Sequence, residues 1–388
     1  MSRLVMEVLV ALVSRWFRPP PAEGSWPSLS SPEWDALGPL ALRHGVVPLV
    51  AQVLARDAGI PAPAPLRQAL RRDSQANAAR NMLLSTALLE VLRHLQAQGI
   101  SAVPFKGPVL SESAYGDVVL RQFTDLDILV EPEQVAAALR ALAELGFELR
   151  EYGHIPEWMF RRTSHAYTLV SPSQGGAVVE LHWALAEEYV GFHLDPKQLW
   201  PHLTTVRLLG ATVPSLGAEE LLVLLCVHGS KHGWRRLAWV ADVAALIRSH
   251  PNLSWAEFGG LASELGVLGA CALGLSLAHD LFGAKAPARE LCAALPAPAL
   301  AQLQQQVWQS WVDGKAWPDG ESERAGLLRF HVDLQQGWLA KARHVLRVAF
   351  RPSVEDWLSC PVSEGWYHLL YLIRPLRLLG RRLRPASG

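Results

Sequence analysis

Two aspartates stand two residues apart at the start of an otherwise apolar run within residues 121–130. Side chains alternate between the two faces of a β-strand, so Asp125 and Asp127 would lie side by side while Leu126 and Ile128 face a core. Adjacent carboxylates repel each other unless a cation neutralises them, and Mg²⁺ accepts carboxylate oxygens together with substrate phosphates. The pattern therefore predicts a Mg²⁺ site used in metal-dependent phosphoryl chemistry. The alternative is the start of a strand whose carboxylates cap a turn.

The composition is that of a folded chain without an overall electrostatic field. Its 388 residues, of which 50% are hydrophobic, leave room for two or three lobes. Lysine and arginine together number 36, as do aspartate and glutamate, so attraction to a polyanion would have to come from local patches. We therefore expect no DNA partner.

The cysteines and the apolar segments predict a cytoplasmic protein. The 4 cysteines are far apart and form no Cys-x-x-Cys pair, which favours reduced thiols over a zinc ribbon. Near the N-terminus, Glu7 interrupts the apolar stretch and residues 16–21 offer no small-residue cleavage site. This pattern favours a short amphipathic helix over a signal peptide. No run of about eighteen uncharged apolar residues predicts a transmembrane segment.

Hydrophobic periodicity divides the chain into three regions. Residues 1–98 are predicted to be helical, with Pro-rich breaks at 18–27 and 60–65. Short apolar runs separated by Pro and Gly turns then predict a small mixed α/β domain over 99–215. The helical pattern returns over 216–388. The predicted fold class is α+β, with a small mixed sheet flanked by an N-terminal and a C-terminal helical lobe.

The individual elements follow from the same periodicities. Strands are predicted at 101–105, 127–130, 147–152, 165–171, 177–183 and 204–209. Helices are predicted at 66–98, 109–115, 134–145, 221–231, 237–248, 255–265 and 268–282.

Several short motifs follow one another in a recognisable order. They are Phe105-Lys106-Gly107, Arg121, Thr124 to Val130, Val179 to Trp183, His228 to His232 with Trp239 and Asp242, and a closing Tyr-x-x-Arg-Pro-x-Arg element over 371–377. This order resembles the bacterial uncharacterised nucleotidyltransferase family of the DNA polymerase β-like nucleotidyltransferase superfamily. The resemblance implies a small mixed sheet flanked by helices, with an Asp-x-Asp strand and a third acidic residue on a neighbouring strand.

The resemblance also implies roles for the acidic residues. Asp125, Asp127 and Glu180 would bind two Mg²⁺ ions that bridge the phosphates of a nucleoside triphosphate substrate such as ATP. Glu180 would be a metal ligand or the base that takes a proton from the acceptor hydroxyl. From the residues alone, Glu180 lies mid-strand among apolar residues, where an isolated carboxylate would be costly without a metal or a partner.

Lys106 and Gly107 are candidates for binding the phosphates of the nucleotide. Glycine allows close backbone approach, the start of the following helix favours phosphate, and lysine supplies a positive charge. The superfamily usually shows Gly-Gly or Gly-Ser at this point, whereas Pro108 here removes one amide.

Arg121 and His182 have two interpretations each. Arg121 would contact a phosphate or the acceptor, or would pair with Asp127 or Glu180 as a structural ion bridge. His182 shares a strand face with Glu180, so it would lie beside the metals and the nucleotide. Its alternative is a half-buried histidine that forms a hydrogen bond with a carboxylate.

His228 and His232 are spaced i, i+4 on one helical face, a geometry that can hold zinc. Gly229 follows His228, so the His-Glu-x-x-His motif is absent. The pattern favours a basic cluster at the mouth of the cleft, with His232 as a nucleotide contact. Asp242 would border the same site, or else fix Arg236 or cap neighbouring backbone.

Trp183 and Trp234 are candidates for stacking on a nucleobase, although core packing explains most of the tryptophans. The final stretch, residues 374–384, holds five arginines and no acidic residue, interleaved with leucines. A basic amphipathic helix of this kind contacts anionic lipid or an acidic partner. The simpler alternative is a solvated final helix that is packed by its leucines.

The resemblance implies a Mg²⁺-dependent nucleotidyltransferase that transfers a nucleoside monophosphate to a hydroxyl of an unidentified acceptor. A small metabolite, a peptide and a protein side chain are all open as acceptors. The competing hypothesis is a non-catalytic module of the same shape that binds a peptide or a partner protein. A third hypothesis is a toxin–antitoxin type enzyme that acts on transfer RNA, which the neutral net charge does not favour.

Overall fold

A mixed sheet in the middle of the chain is surrounded by helices. The structure, a computed structural model, describes residues 2–18, 26–150, 155–172, 176–185, 199–286, 294–314 and 321–383, with side chains left out at 321–324 and 381–383. The strands of the sheet are β1 (Ala102–Pro104), β2 (Asp125–Val130), β3 (Glu148–Leu149), β4 (Ala166–Ser171) and β5 (Ala177–His182). Their order is β1-β2-β5-β4-β3, and β2 and β5 are parallel while the other neighbours are antiparallel.

A separate two-stranded hairpin follows the sheet in sequence. It consists of β6 (Thr204–Leu208) and β7 (Ala211–Ser215), joined by Leu209 and Gly210, which both have positive φ. The sequence did not predict β7, because Pro214 and small polar residues weaken its strand pattern. The predicted strand over 147–152 is shortened to β3 within the described residues.

The N-terminal helices are α1 (Arg3–Phe17), α2 (Ser31–Arg43), α3 (Val47–Arg56) and α4 (Ala64–Ala97). The amphipathic helix expected at the N-terminus is confirmed, because the apolar face of α1 is buried in the core. The long helix expected over 66–98 is also confirmed, and Gly99 follows it with φ +71°. That left-handed conformation is one that glycine adopts without steric cost, so the helix stops there.

Short helices connect the strands of the sheet. They are α5 (Gly107–Leu110), which continues into a π-helical turn (Ser111–Tyr115), then α6 (Val135–Glu144) and α7 (Glu157–Thr163). The helix expected over 109–115 therefore begins two residues earlier. α7 was not predicted, since seven residues are too few for a helical period to stand out.

The C-terminal region is helical, as expected. Its α-helices are α8 (Ala218–Lys231), α9 (Leu237–Ser249), α10 (Trp255–Glu264), α11 (Leu268–Phe282), α12 (Ala297–Asp313), α13 (Glu321–Asp333), α14 (Gly337–Phe350), α15 (Val354–Ser359) and α16 (Leu370–Leu383). On α16, Leu376 and Leu379 are exposed while Arg374 and Arg377 bind Asp356. The interpretation that leucines pack this final helix is wrong for those two residues, because the arginines occupy its inner side. Arg384 lies outside the described residues.

Two large hydrophobic cores hold these elements together. One core lies around the sheet and joins it to α4 and α6. The other combines apolar residues of α1, α2 and α3 with those of α8 to α12. The α+β class with a small mixed sheet between helical regions is confirmed. The boundaries at 98 and 215 stay predictions, and helices from the first and third regions pack in one core.

Candidate active site

The parallel pairing of β2 and β5 brings the predicted acidic residues together. Asp127 lies directly opposite Glu180 in the register, and Leu129 lies opposite His182. Because side chains alternate along a strand, Asp125, Asp127, Glu180 and His182 share one face of the sheet. The residues between the two aspartates and after them, Leu126 and Ile128, are buried in the core around the sheet, as expected.

Asp127 is the centre of a compact polar cluster. The Nζ of Lys106 lies 3.1 Å from its Oδ1, and the Nε2 of His182 lies 3.2 Å from the same oxygen. The Nε2 of His182 is also 3.4 Å from the Oε2 of Glu180. The nearest donor atoms of Asp127, Glu180 and His182 all lie within 4.8 Å of one another. Within the described part of the chain, this is the group of three such residues that could hold a metal ion.

Contacts within the cluster shift the pKa values of its side chains. Burial raises the pKa of Asp127, but the charge of Lys106 and the hydrogen bond from His182 outweigh burial and hold that pKa well below its usual range. Burial lowers the pKa of His182, yet its hydrogen bonds with Asp127 and Glu180 give a net increase. The hydrogen bond with His182 lowers the pKa of Glu180. These contacts favour the protonated form of His182, which lies between the two carboxylates.

Asp125 differs from its neighbour in its ionisation. Burial raises the pKa of Asp125, and the negative charges of Asp127 and Glu180 raise it further. Three carboxyl groups on one face of the sheet repel each other, and a divalent cation would relieve that repulsion. Oxygen donors of this kind are the ligands that Mg²⁺ prefers. The oxygen donors fit Mg²⁺ by their chemistry, but the donor atoms that lie within 4.8 Å of one another are those of Asp127, Glu180 and His182 and do not include Asp125.

His182 is almost completely buried rather than half-buried. It forms hydrogen bonds with a carboxylate, and it also stands within the donor group itself. Its buried Nδ1 has no hydrogen-bond partner among the described residues. The ring of His165 lies beside it, with 5.5 Å between the ring centroids. Sequence analysis missed His165, which precedes β4 and whose position depends on the sheet pairing.

Gly107 has a φ of +55°, and the turn that it makes sets Lys106 against the cluster. A Cβ at this position would lie 3.2 Å from the carbonyl oxygen of Asp125, so the backbone approaches β2 closely. Glycine suits both the positive φ and the close approach. The role of Gly107 in bringing Lys106 to the aspartates follows from this geometry.

Arg121 forms its ion pair with a partner that the sequence did not indicate. Its Nε lies 3.0 Å and 3.1 Å from the two carboxylate oxygens of Asp242 on α9. The hydroxyl of Tyr115 donates a hydrogen bond of 2.8 Å to the same carboxylate. The expected pairing of Arg121 with Asp127 or Glu180 is therefore wrong, and so is the pairing of Asp242 with Arg236. Packing of α9 on the π-helical turn brings these distant residues together.

A cavity of about 1400 Å³ contains this cluster. Part of its wall is basic and aromatic and comes from α8, α9 and the turn between them, namely His228, Lys231, His232, Arg235, Arg236 and Trp239. The C-terminal end of α2, the residue after it and helix α4 add residues that sequence analysis did not single out, namely Arg43, His44, Asn77 and Arg80. The predicted basic cluster thus lies at the same cavity as the carboxylates, and Arg121 also lines it.

His228 of α8 and His232, which follows the last residue of that helix, form an aromatic group with Trp239. The ring centroids of His228 and His232 are 4.8 Å apart, and those of His228 and Trp239 are 5.2 Å apart. Burial lowers the pKa of His232 to about 3, with nearby Lys231 acting in the same direction. Burial also lowers the pKa of His228 well below its usual range. Both rings therefore favour the neutral form at pH 7 and present an amphipathic wall to the cavity.

Neither tryptophan expected to stack on a nucleobase lines the cavity. Trp234 is completely buried in the helical core, where its ring lies close to Gly229 and Gly274. Trp183 packs against Phe160 and Tyr167 beside the sheet. Burying these large rings in the cores stabilises the fold, and the sequence pattern alone does not show which tryptophans are buried.

Comparison with known proteins gives one family match. Residues 30–283 match the family described as uncharacterised nucleotidyltransferase, so the element over 371–377 lies outside the matched region. The fold is similar to the solution structure of the antibiotic-resistance factor ANT(2'')-Ia, at 11% identity and a TM-score of 0.34 over 46% of this chain and 89% of that one.

A second similar structure is a nucleotidyltransferase-like antigenic protein from Paracoccidioides brasiliensis, at 20% identity and a TM-score of 0.28 over 47% of this chain and 86% of that one. Both TM-scores are low, and no curated protein matches the chain. Among the described residues, no helix is both long and apolar enough to cross a bilayer. From the match over residues 30–283, the chain belongs to the uncharacterised nucleotidyltransferase family.

Proposed function

We propose that this nucleotidyltransferase moves a nucleoside monophosphate from a nucleoside triphosphate to a hydroxyl of an acceptor, in a Mg²⁺-dependent reaction. The observation that carries the proposal is the register of β2 and β5, which sets Asp127 opposite Glu180 with Asp125 on the same face. The carboxylates open to a cavity with a basic wall. Acidic and basic side chains that line one cavity suit a metal and a polyphosphate together.

Asp125, Asp127 and Glu180 would hold the metal through their carboxylate oxygens. When bound, Mg²⁺ would neutralise charge on the phosphates and help to orient the reacting groups. The raised pKa of Asp125, caused first by burial and then by its two acidic neighbours, supports a cation at this point. The number of ions is part of the proposal, and two is the number that the resemblance implies.

Side chains of the protein would assist the transfer reaction. The acceptor oxygen attacks the α-phosphorus, the bond from that phosphorus to the bridging oxygen of the β-phosphate breaks, and pyrophosphate leaves. Glu180 takes the proton of the acceptor hydroxyl, since its side chain is 36% exposed and within reach of an acceptor. The hydrogen bond with His182 lowers its pKa, which keeps the carboxylate ionised but also makes it a weaker base. Lys106 and Arg121 contribute positive charge at the cavity wall.

The size of the cavity supports two substrates bound side by side. Pockets for one drug-sized ligand measure about 300–1,000 Å³, and this cavity is about 1400 Å³. His232 and Trp239 offer an amphipathic wall for a nucleobase. A small metabolite, a peptide or a protein side chain would serve as acceptor. We place the protein in the cytoplasm, where the buried thiols of Cys226 and Cys271 would stay reduced.

Labelled substrates test the proposal directly. The protein is incubated with each α-³²P-labelled nucleoside triphosphate, Mg²⁺ and fractionated lysate, and transfer to any acceptor is measured. Asp127→Asn removes a charge from the centre of the cluster and is expected to abolish labelling. Asp35→Asn, at an exposed position on α2, is the matched control and is expected to label normally. Equal labelling by wild type and Asp127→Asn would overturn the proposal.

The competing proposal is a non-catalytic module that binds a peptide or partner protein. One observation favours it: Lys106 and His182 already neutralise Asp127 without a cation. Pro108 also removes an amide that would otherwise be available to a phosphate. Thermal shift with each triphosphate separates the two proposals. Stabilisation that requires Mg²⁺ supports the enzyme, and its absence with every triphosphate supports the binding module.

A further inference from the structure

The C-terminal helices expose an unusual number of large apolar side chains. Of the seventeen such residues that are exposed in the described part of the chain, twelve lie between Trp338 and Leu379. α14 exposes Trp338 to 75%, and its other exposed apolar residues follow at helical spacing on the same side: Leu339, Val345, Leu346 and Phe350. The helix therefore turns its apolar side to solvent.

α16 shows the same reversed arrangement. Leu372 and Leu376 are 64% and 69% exposed, and Leu379 lies one turn further on the same side. Arg374 and Arg377 point inward instead and bind the buried carboxylate of Asp356. Soluble helices normally place their apolar side inward, so this surface requires a covering partner.

α14 and α16 belong to one structural layer. The Nε of Arg374 donates a hydrogen bond of 2.9 Å to the carbonyl oxygen of Val348. A small core of Met159, Tyr367 and Leu370 fastens this layer to α7 beside the sheet. We define the C-terminal apolar face as the exposed apolar residues of the two helices: Trp338, Leu339, Val345, Leu346, Phe350, Leu372, Leu376 and Leu379.

The excess of positive charge in this region favours an anionic partner. Residues 337–383 contain eight lysines and arginines but three acidic residues, in a chain whose formal net charge is zero. An anionic surface complements that excess, whereas a second copy of the same region would bring like charges together. Trp338 and the exposed Trp366 supply the amphipathic rings that are enriched at membrane–water interfaces.

We propose that the C-terminal apolar face binds the surface of an anionic lipid bilayer, with α14 and α16 lying in the plane of the interface. The apolar side chains enter the boundary between headgroups and acyl chains, while basic residues that flank the face on α14, such as Lys341 and Arg343, contact anionic headgroups. The helices lie on the bilayer rather than cross it. This inference is independent of the proposed catalytic reaction, because no residue of the face lines the active-site cavity.

Vesicle flotation with the full chain tests the proposal. The wild type is expected to float with phosphatidylcholine vesicles that contain phosphatidylglycerol, and to stay behind with phosphatidylcholine alone. Leu372→Glu with Leu376→Glu should weaken binding by about tenfold or more, since two charges then enter the interface. Met82→Glu with Leu83→Glu is the matched control, because it adds the same charges at exposed apolar positions of α4. This control should bind like wild type.

A second measurement needs no charged variant. Brominated phosphatidylglycerol vesicles should quench part of the tryptophan fluorescence of the wild type, and Trp338→Phe should remove part of that quenching. The proposal is overturned if the wild type fails to bind anionic vesicles or if both paired variants lose binding equally. It is also overturned if light scattering shows a wild-type dimer that Leu372→Glu with Leu376→Glu converts to a monomer.

Discussion

Asp127 and Glu180 lie directly opposite each other on the parallel strands β2 and β5, and one histidine, His182, forms contacts with both carboxylates. Fifty-two residues lie between the two acids in the sequence. The parallel pairing of β2 with β5 brings them side by side. The pairing places a nearly buried carboxylate beside one that is 36% exposed. The buried one is suited to holding a cation, and the exposed one is suited to meeting a substrate.

Glu180→Gln tests the proposed base. The amide keeps the shape of the side chain but neither carries a negative charge nor accepts the proton of the acceptor hydroxyl. We expect kcat to fall by about 10²–10⁴-fold, with a much smaller change in the melting temperature. Steady-state kinetics with labelled triphosphate measure the effect. Glu148→Gln, an exposed position on β3, is the control on the same sheet, and a kcat equal to that of the control would refute the role of Glu180.

Lys106→Met tests the balance of charge around Asp127. Removing one partner of a buried ion pair leaves an uncompensated carboxylate. We therefore expect the free energy of unfolding to fall by roughly 3 kcal/mol. Because Mg²⁺ would replace the lost positive charge, added Mg²⁺ should restore more stability to this variant than to wild type. Urea unfolding with and without Mg²⁺ measures both effects. Lys106→Arg keeps the charge and is expected to lose much less stability, whereas equal losses in both variants would contradict the argument.

The ion pair between Arg121 and Asp242 is expected to support the fold. Asp242 is almost completely buried, so Arg121→Met should lower the free energy of unfolding by about 3–5 kcal/mol. Tyr115→Phe removes one hydrogen bond to the same carboxylate and should cost about 1 kcal/mol. The double variant Arg121→Met with Asp242→Asn should cost less than the sum of the single changes. If the losses of unfolding free energy in the two single variants add up to the loss in the double variant, the two side chains are not coupled.

His44 predicts a dependence of stability on pH. Burial, with the charges of Arg43 and Arg236, lowers the pKa of His44 from 6.5 to about 4. Its Nδ1 accepts a hydrogen bond of 3.2 Å from the backbone N–H of Leu237, which requires the unprotonated nitrogen. The unfolded chain therefore binds a proton more readily, so the contribution of His44 is complete above pH 6.5 and is lost as pH falls towards 4.

The loss should reach about 2 kcal/mol between pH 7.5 and pH 5. His44→Asn removes the titrating group, so its unfolding free energy should fall less than that of wild type over this interval. Urea unfolding at both pH values measures the difference. Parallel pH profiles for the two proteins would refute the assignment to His44.

Local pattern predicted the parts of the site that depend on alternation within strands. The two aspartates and Glu180 could be assigned to strand faces because a strand alternates strictly. The partner of Arg121 could not be predicted, since Asp242 lies 121 residues away and reaches it through packing of α9. The burial of Trp234 has the same origin, because it depends on close approach by Gly229 and Gly274.

The fold was predictable to a similar extent. Apolar spacing predicted the helices from α8 to α11, whose long buried faces repeat over several turns. It did not predict β7, where Pro214 interrupts the strand pattern, or the outward apolar sides of α14 and α16. Periodicity gives the apolar side of a helix but does not say whether that side faces the core.

Binding of Mn²⁺ to the free protein, followed by electron paramagnetic resonance, tests the central claim most directly. Wild type is expected to bind Mn²⁺ and to release it when Mg²⁺ is added in excess, since both ions accept carboxylate oxygens. Asp127→Asn should bind at least about tenfold more weakly, and Asp35→Asn should bind like wild type. Equal Mn²⁺ affinity in wild type and Asp127→Asn would contradict a metal site between β2 and β5.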